Sequence, residues 1–270
     1  MKKCFLLGVL SSAIFFTGCS SNVDNDMLIT DPLAGPPALL SKITTVYYDN
    51  PTSPETNVAT LEYNSQKQVI KTISEGRTAV FEYDTAGKPV KTNYYNPNGT
   101  LDYYSTYTYN GEQLTTLKSV YSNPNYNRTI TYSYSSGKVT GHTLCQSADC
   151  TNPSTSSYTY NGENISSETS VNGGAFSFAT KSEYSYDNKL NPFSYINKYI
   201  RTTMGGAYVL SPNNYTTEKI SYKDNEGNWI PSQNITFEIQ YNNLQLPTQV
   251  IGKEADGSIS VKYNYEYITQ

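Results

Sequence analysis

Along most of this chain, aromatic or aliphatic residues alternate one for one with hydroxyl-bearing or charged residues. Tyr107-Thr-Tyr109, Tyr132-Ser-Tyr134, Tyr158-Thr-Tyr160 and Tyr184-Ser-Tyr186 display the pattern most clearly. A side-chain period of two belongs to a strand with one buried face. Both rings of each triplet therefore share one face, while Thr108, Ser133, Thr159 and Ser185 point to the other. A polar turn follows each triplet, and the next segment opens on an aliphatic residue, as in Tyr107-Thr-Tyr-Asn-Gly-Glu-Gln-Leu114 and Tyr158-Thr-Tyr-Asn-Gly-Glu-Asn-Ile165. Asn110-Gly111 and Asn161-Gly162 signal hairpins, because a type I′ turn needs positive φ at both central positions. Asn98-Gly99 and Asp256-Gly257 mark the opposite ends of other hairpins.

The pattern recurs at a fixed interval. Tyr109, Tyr134, Tyr160 and Tyr186 are separated by 25, 26 and 26 residues, and Tyr241 to Tyr267 is again 26. A constant period of this size marks repeated supersecondary units. It accommodates two strands of about eight to ten residues and two turns. The expected fold is all-β: a large antiparallel meander of roughly 14–16 strands built from hairpin repeats. It forms one domain over residues 39–270, as a curled sheet or a barrel. The rhythm breaks over residues 192–215. There Phe193, Ile196, Tyr199 and Ile200 fall at near-helical spacing after Pro192, which predicts a short helix near 193–200. Met204-Gly205-Gly206 and Ser211-Pro212-Asn213-Asn214 read as loops. Such an insertion caps the sheet or plugs one end of it.

Composition shifts the core from aliphatic to phenolic: the chain has 27 Tyr in 270 residues. A tyrosine buries a large ring while its hydroxyl stays hydrogen-bonded at an edge.

The amino terminus carries an address. Lys2 and Lys3 precede an apolar stretch from Phe5 to Phe16, and Phe16-Thr17-Gly18-Cys19 resembles a bacterial lipobox. Residues 1–18 then form a lipoprotein signal peptide, Cys19 carries acyl chains, and residues 19–38 make a flexible tether rich in Asn, Asp, Gly and Pro. An ordinary secretory signal, with Cys19 incidental, is the alternative. A membrane-spanning helix would need about 18 apolar residues, more than this run supplies. Asp24 and Asp26 resemble a surface-export signal, the other reading being a solvated spacer. The expected location is the outer membrane, lipid-anchored, with the cell-surface and periplasmic faces both open.

Cleavage would remove Lys2 and Lys3, leaving 17 basic residues against 23 acidic ones. A mildly acidic domain without a Lys/Arg cluster offers no footprint for nucleic acid or anionic headgroups. The membrane is a partner through the lipid alone. Cys145 and Cys150 remain, five positions apart, and suit a disulfide staple across a loop in an oxidising compartment. The one histidine, His142, with two thiols leaves a structural zinc site a ligand short. No metal or cofactor is expected.

Four segments carry a family resemblance: Leu39-Leu40-Ser41-Lys42-Ile43, Tyr83-Asp84-Thr85-Ala86-Gly87-Lys88, Tyr186-Asp187-Asn188-Lys189-Leu190-Asn191-Pro192-Phe193, and the close from Leu246-Pro247-Thr248 to Tyr267. In this order they resemble the Bacteroidetes lipoproteins of YD/Rhs-like repeats, which include a domain of unknown function with a porin-like β-fold. The resemblance covers about residues 39–267 and implies fold and location, not an activity.

Three functions compete. A non-catalytic binding module for a glycan or protein leads, with Tyr94, Tyr95, Tyr103, Tyr104 and Trp229 as candidate stacking residues against the simpler reading of cross-strand packing. A structural or assembly role in the periplasm or outer membrane is the second. A glycoside hydrolase with a carboxylate pair is third, because Asp84, Glu112 and Glu163 fall in turns where caps and solvated charges are usual. With a single histidine, nucleophile–histidine arrangements are not expected. An integral membrane barrel would need an outward apolar band, yet the positions between the tyrosines are Thr, Ser, Lys and Glu. Asn127, Asn164, Asn214 and Asn234 head sequons that reflect composition, and Asp84-Thr85-Ala86 resembles a Bacteroidetes O-glycosylation motif on Thr85.

Overall fold

The computed structural model describes residues 38–174 and 177–269. The signal segment, Cys19 and the tether up to residue 37 lie outside the described residues. Strands β1 to β5 are Leu39–Tyr47, Glu55–Tyr63, Val69–Ser74, Arg77–Tyr83 and Pro89–Tyr95. Strands β6 to β11 are Leu101–Asn110, Gln113–Tyr121, Arg128–Ser135, Lys138–Cys145, Ser154–Asn161 and Asn164–Asn172. Strands β12 to β16 are Phe178–Leu190, Asn213–Lys223, Trp229–Tyr241, Pro247–Lys253 and Ile259–Ile268. Each strand pairs with its sequence neighbours, and β1 pairs antiparallel with β16 to close a barrel of sixteen strands. Closure removes the edges that would template aggregation. The expected meander is therefore present, closed rather than curled.

Register sets which residues face inward. Tyr107 lies opposite Leu117, Tyr132 opposite His142, Tyr158 opposite Glu168 and Tyr184 opposite Glu218. These rings look into the barrel, so the aromatic face is the lumen. The outer wall carries the alternate residues: Thr108 pairs Thr116, Ser133 pairs Gly141, and Thr159 pairs Ser167. Cross-strand ion pairs decorate it, including Lys42–Glu266 at 2.7 Å and Lys71–Glu62 at 2.8 Å. This polarity is the reverse of a lipid-facing barrel wall.

Turn chemistry differs from the expectation in one respect. Asn110 pairs with Gln113, so the central residues are Gly111 and Glu112, and only the glycine has positive φ, at 56°. That is a glycine-first hairpin rather than type I′. Both-positive pairs occur instead at Glu75-Gly76 and Ser136-Gly137, with φ of 50° and 74°, and of 51° and 79°.

At the end of the barrel that carries the β6–β7 and β8–β9 turns, the second tyrosine of each repeat performs one task. Tyr109 Oη donates to the carbonyl of Pro89 at 2.6 Å, Tyr134 to Leu114 at 2.8 Å, and Tyr160 to Val139 at 2.8 Å. Tyr63, Tyr83, Tyr186 and Tyr267 do the same to Leu40, Val69, Ile165 and Pro247. The pairing between β7 and β8 runs only from Thr116 and Thr131 onward, leaving the Leu114 carbonyl beyond the ladder. A buried carbonyl requires a partner, and the phenol supplies it.

The same end is plugged. The chain leaves β12 at Leu190, crosses inside and re-enters the wall at Asn213 through helices α1 (Lys198–Met204) and α2 (Ala207–Leu210). The predicted helix at 193–200 begins later than its apolar spacing suggests. Asn191 Oδ1 accepts the Phe193 amide at 2.8 Å, folding 191–194 into a turn, and Asn197 Oδ1 caps α1 through the Tyr199 amide at 2.9 Å. Phe193 and Ile196 are spaced for burial, not for one helix face. Met204, expected as loop, ends α1, and Asn213 and Asn214, also expected as loop, open β13. Asn197 Nδ2 ties α1 to the Gly87 carbonyl at 3.0 Å, and the Ile165 amide donates to Ser211 Oγ at 3.1 Å. The capping role expected of the insertion is what it performs. Ala38, Leu39 and Leu40, the entry into β1, are buried at this end as well.

The opposite end is open. Tyr47, Phe178 and Tyr222 have inward register there, yet are 40 %, 47 % and 46 % exposed.

Candidate functional site

The barrel wall gathers its chemistry in the lumen, in two regions. The first is a cavity of about 100 Å³ between the plug and β1–β6. Phe193, Ile196, Ile200 and Met204 form its floor, and Leu61, Ala79 and Phe81 form its side. Arg77, Tyr94 and Tyr103 look onto it from the open side. Tyr94, Tyr103 and Tyr121 stack across three strands with centroids 4.3 and 4.4 Å apart, and Arg77 is ion-paired to Asp102. The lining is mostly apolar with a few polar groups, the usual character of a small-ligand site. Arg201, on α1, donates to the Ser194 carbonyl at 3.4 Å, but its buried Nε has no partner. Burial pulls this guanidinium down to about 10.

The second region is a titratable belt along the inner face of β8–β13. His142 Nδ1 meets Tyr158 Oη at 3.1 Å between the rings of Tyr132 and Tyr158. Desolvation pushes its pKa down to about 4, so the imidazole is neutral at physiological pH. Glu168 and Glu218 follow on β11 and β13. Burial raises Glu168 to about 7, against hydrogen bonding from the Ala207 amide and with repulsion from Glu218 added. Burial also raises Glu218, opposed by hydrogen bonds from the Ser182 and Tyr184 hydroxyls. Sequence reasoning did not single out either glutamate. Simple alternation does not reveal Glu168: counted from the Asn161–Asn164 pair, Ser167 falls opposite Tyr158, and the bulge between Thr159 and Tyr160 is what turns Glu168 inward.

The residues that sequence reasoning did name are dispersed. Asp84 Oδ1 accepts the Ala86 and Lys88 amides at 2.9 and 2.8 Å, a turn cap that leaves Thr85 exposed beside it. Glu112 is bound on the rim by Lys88 at 2.6 Å, Tyr199 at 2.7 Å and Lys198 at 3.2 Å, with Lys88 first among the contacts that hold its carboxyl down to about 2. Glu163 pairs with Lys138 at 2.7 Å. These three carboxyls cap turns or close ion pairs on the rim of the barrel and face no common space. The stacking candidates also separate. Tyr94 and Tyr103 face inward, whereas Tyr104, on the outer wall, lies beneath Lys91 at 5.0 Å. Tyr95, opposite Thr78, joins Tyr94 and Tyr103 in lining the cavity, and Trp229 sits between Lys181 and Lys223, at 5.6 and 5.8 Å from its ring. They form no common platform on the outer wall, and the aromatic concentration is internal. Of the sequon asparagines, Asn214 is buried and Asn164 Nδ2 donates to Asn213 at 3.0 Å. Cys145 and Cys150 are disulfide-bonded with Cα atoms 4.7 Å apart, closing the β9–β10 loop. Among the described residues no group of three His, Cys, Asp or Glu side chains is placed to hold a metal.

No protein-family model matches the chain, and no curated protein matches it. Solved structures do. A porin-like protein from Bacteroides uniformis superposes with a TM-score of 0.55 at 19 % identity, covering 86 % of this chain and 98 % of that one. That likeness establishes a porin-like β-barrel fold. A porin-like protein from Bacteroides vulgatus aligns at 12 % identity with a TM-score of 0.48, over 86 % of this chain and 99 % of its own. The Photorhabdus luminescens Tc holotoxin pore aligns at 12 % identity and a TM-score of 0.29, over 85 % of this chain and 11 % of its own. These two are too distant to argue from.

Proposed function

We propose that this protein is a lipid-anchored envelope barrel that binds a ligand in its lumen and performs no catalysis. One observation carries the reading: the wall is polar and ion-paired outside and aromatic inside, around a cavity floored by the plug. A barrel of that polarity sits in water rather than in hydrocarbon, so its interior serves as a pocket, not a pore. The repeat pattern resembling YD/Rhs lipoproteins and the lipobox-like Phe16–Cys19 support an outer-membrane anchor, through Cys19, on the surface or periplasmic face. The tether enters β1 at the plugged end, where Ala38, Leu39 and Leu40 are buried. A lipid on Cys19 would hold that end toward the bilayer and leave the open end facing away. The ligand class indicated by the floor is small and partly apolar, and the loss of a shared outer aromatic platform disfavours glycan stacking on the wall.

The test fills the cavity. Ala79 lines it and is 9 % exposed, so Ala79→Trp places an indole in the space. A panel of small apolar and aromatic compounds, together with glycans, is screened against the mature chain by thermal shift and calorimetry. Binding that disappears in a folded Ala79→Trp protein is expected. Ligands that bind both proteins equally, but not a Trp229→Ala variant, would move the site to the outer wall.

A further inference from the structure

The chain contains three arginines, and none stands on the outer wall. Arg77 lies two residues from Ala79 on β4 and lines the cavity between the plug and β1–β6. Arg128, on β8 opposite Ser119, shares the inward parity of Ile130 and Tyr132. Arg201 is carried on α1 and does not line the cavity. Apart from Arg77–Asp102, every ion pair among the described residues uses lysine, from Lys42–Glu266 to Lys253–Glu238. Lysine thus serves the wall and rim, and arginine the interior. The two cations differ in what they recognise: a guanidinium presents a planar fork of donors, an ammonium a point charge.

Arg77 and Arg128 bracket an aromatic row. Arg77, Tyr94, Tyr103, Tyr121 and Arg128 project into the lumen from β4 to β8, one from each consecutive strand. Tyr94 pairs with Tyr103, and Tyr103 with Tyr121, so their rings stack in register. The Arg128 guanidinium carbon lies 5.7 Å from the Tyr121 ring centroid. Burial raises the Tyr103 phenol while Arg77 and Arg128 both oppose it, so both guanidinia act on one ring. Arg77 meets Asp102 through Nη2, and its other N–H donors have no protein acceptor among the described residues. Arg128 closes no ion pair and donates no hydrogen bond among the described residues. Two guanidinia against one carboxylate leave the row with an excess positive charge. Glu55 and Glu75, exposed elsewhere at the open end, act on Tyr47 of β1.

The row stands beside an apolar space. The cavity of about 100 Å³ begins at Arg77, Tyr94 and Tyr103 and ends on Phe193, Ile200 and Met204. A dry cavity of about 150 Å³ accepts a benzene ring, so this one takes a slimmer group, a chain of about four carbons. A ligand that enters from the open end and fills it leaves its head beside Arg77. A carboxylate head accepts two parallel hydrogen bonds from the guanidinium fork. A neutral head forgoes the charge, and a cationic one is repelled by the row.

We infer that the lumen selects a small carboxylate with an apolar tail, its head on Arg77 with Arg128 adding charge across the tyrosine row, and its tail on the plug. The inference rests on the lumen-binding reading and names the ligand class for it.

Pentanoate, its neutral isostere pentanamide, and pentylammonium are each titrated by calorimetry into the mature chain. The same titrations are run on Arg128→Gln and on Arg77→Gln/Asp102→Asn, which removes both members of the ion pair and strands no charge. If circular dichroism shows the double variant unfolded, Arg77→Lys replaces it, keeping the charge and losing the fork. The wild type should bind pentanoate at least tenfold more tightly than pentanamide. That preference should vanish in the double variant, or fall at least threefold in Arg77→Lys, and should fall about threefold in Arg128→Gln. Equal binding of pentanoate and pentanamide to the wild type overturns the charge selection while leaving the lumen reading intact. A preference that all the arginine variants retain in full, or that persists in folded Ala79→Trp, places the anion elsewhere and overturns the inference. Tighter binding of pentylammonium than of pentanoate overturns it as well. Binding of none of the three overturns it too, and lumen binding is then judged by the Ala79→Trp screen alone.

Discussion

Tyr134 donates its hydroxyl to the main-chain carbonyl of Leu114 at 2.8 Å, one strand back, at a point where the sheet's own ladder has already ended. Leu114 is fully buried, so its carbonyl would otherwise be desolvated without a partner. Tyr134→Phe keeps the ring and removes the donor. Urea unfolding should register a loss of about 1 kcal/mol, with little change in slope. Tyr109→Phe, on β6 and with its own acceptor, should add to it nearly independently. Unchanged midpoints in both variants would mean that water substitutes for the phenol.

Tyr241 is the member of the series without a carbonyl to reach. Its neighbouring strand starts in the insertion, and its hydroxyl donates instead to Asp187 Oδ2, with Asn214 Nδ2 at 3.5 Å. Burial, with the Asp187 contact adding to it, raises the Tyr241 phenol above its ordinary value. Hydrogen bonds to charged acceptors contribute about 1.5–3 kcal/mol. Tyr241→Phe should therefore destabilise more than Tyr134→Phe in the same denaturation assay. The reverse order would show that the plug, not this contact, fixes Asp187.

The repeat was legible because the fold uses one device many times. The Tyr-x-Tyr spacing foretold strand direction, face and count, and the hydroxyl-rich alternate face foretold the polar wall. Closure was not legible, since the pairing of Leu40 with Tyr267 joins chain ends that share no local signal. The plug misled for a related reason: Phe193 and Ile196 are apolar for tertiary burial, and Asn191 and Asn197 decide where helix begins. The inward carboxylates were not legible, because strand parity alone turns Glu168 and Glu218 outward and bulges between Thr159 and Tyr160 and between Ser185 and Tyr186 bring them into the lumen.

Gly141 sits on β9 where a Cβ would lie 2.2 Å from the Ser156 carbonyl oxygen and 3.2 Å from Ser157 Cα. Both atoms are backbone of β10, so the strands would have to part. Gly141→Ala should cost about 2–3 kcal/mol, as overpacking does. Gly99→Ala is the control: nothing lies within 4 Å, and only its φ of +81° opposes the methyl. That strain costs about 1 kcal/mol. A thermal melt that ranks Gly99→Ala as the more damaging would reject the close approach of β9 and β10.

Two lumen groups give opposite pH dependences. His142, depressed to about 4, stays neutral in the fold while the unfolded chain protonates below its ordinary 6.5, so stability falls as pH drops through that window. Glu168, raised to about 7, takes up its proton in the fold before the unfolded chain does at 4.5, so stability rises as pH drops from 7 to 4.5. Each contribution is about 3 kcal/mol at most. Glu218, also raised, acts with Glu168. With two raised carboxyls against one depressed imidazole, the wild type should gain stability between pH 6.5 and 4.5. His142→Gln should gain more on acidification than the wild type, and Glu168→Gln should gain less, by urea midpoints at both pH values. Parallel curves for all three proteins would refute the assignment.

Cys19 follows Phe16-Thr17-Gly18, and the lipid proposed for it would meet the barrel at its plugged end. Cys19→Ala should leave the precursor uncleaved after residue 18 and abolish incorporation of a labelled fatty acid. With the anchor in place, a cysteine introduced at Asn98, in the β5–β6 loop of the open end, should react with a bulky maleimide faster than one at Thr85, in a turn of the plugged end. Both sites are exposed, so the difference reports distance from the bilayer rather than burial. Once the protein is released from the membrane in detergent, the two rates should converge. Equal rates on the membrane would mean that the tether lets the barrel tumble, and continued labelling of Cys19→Ala would remove the anchor itself.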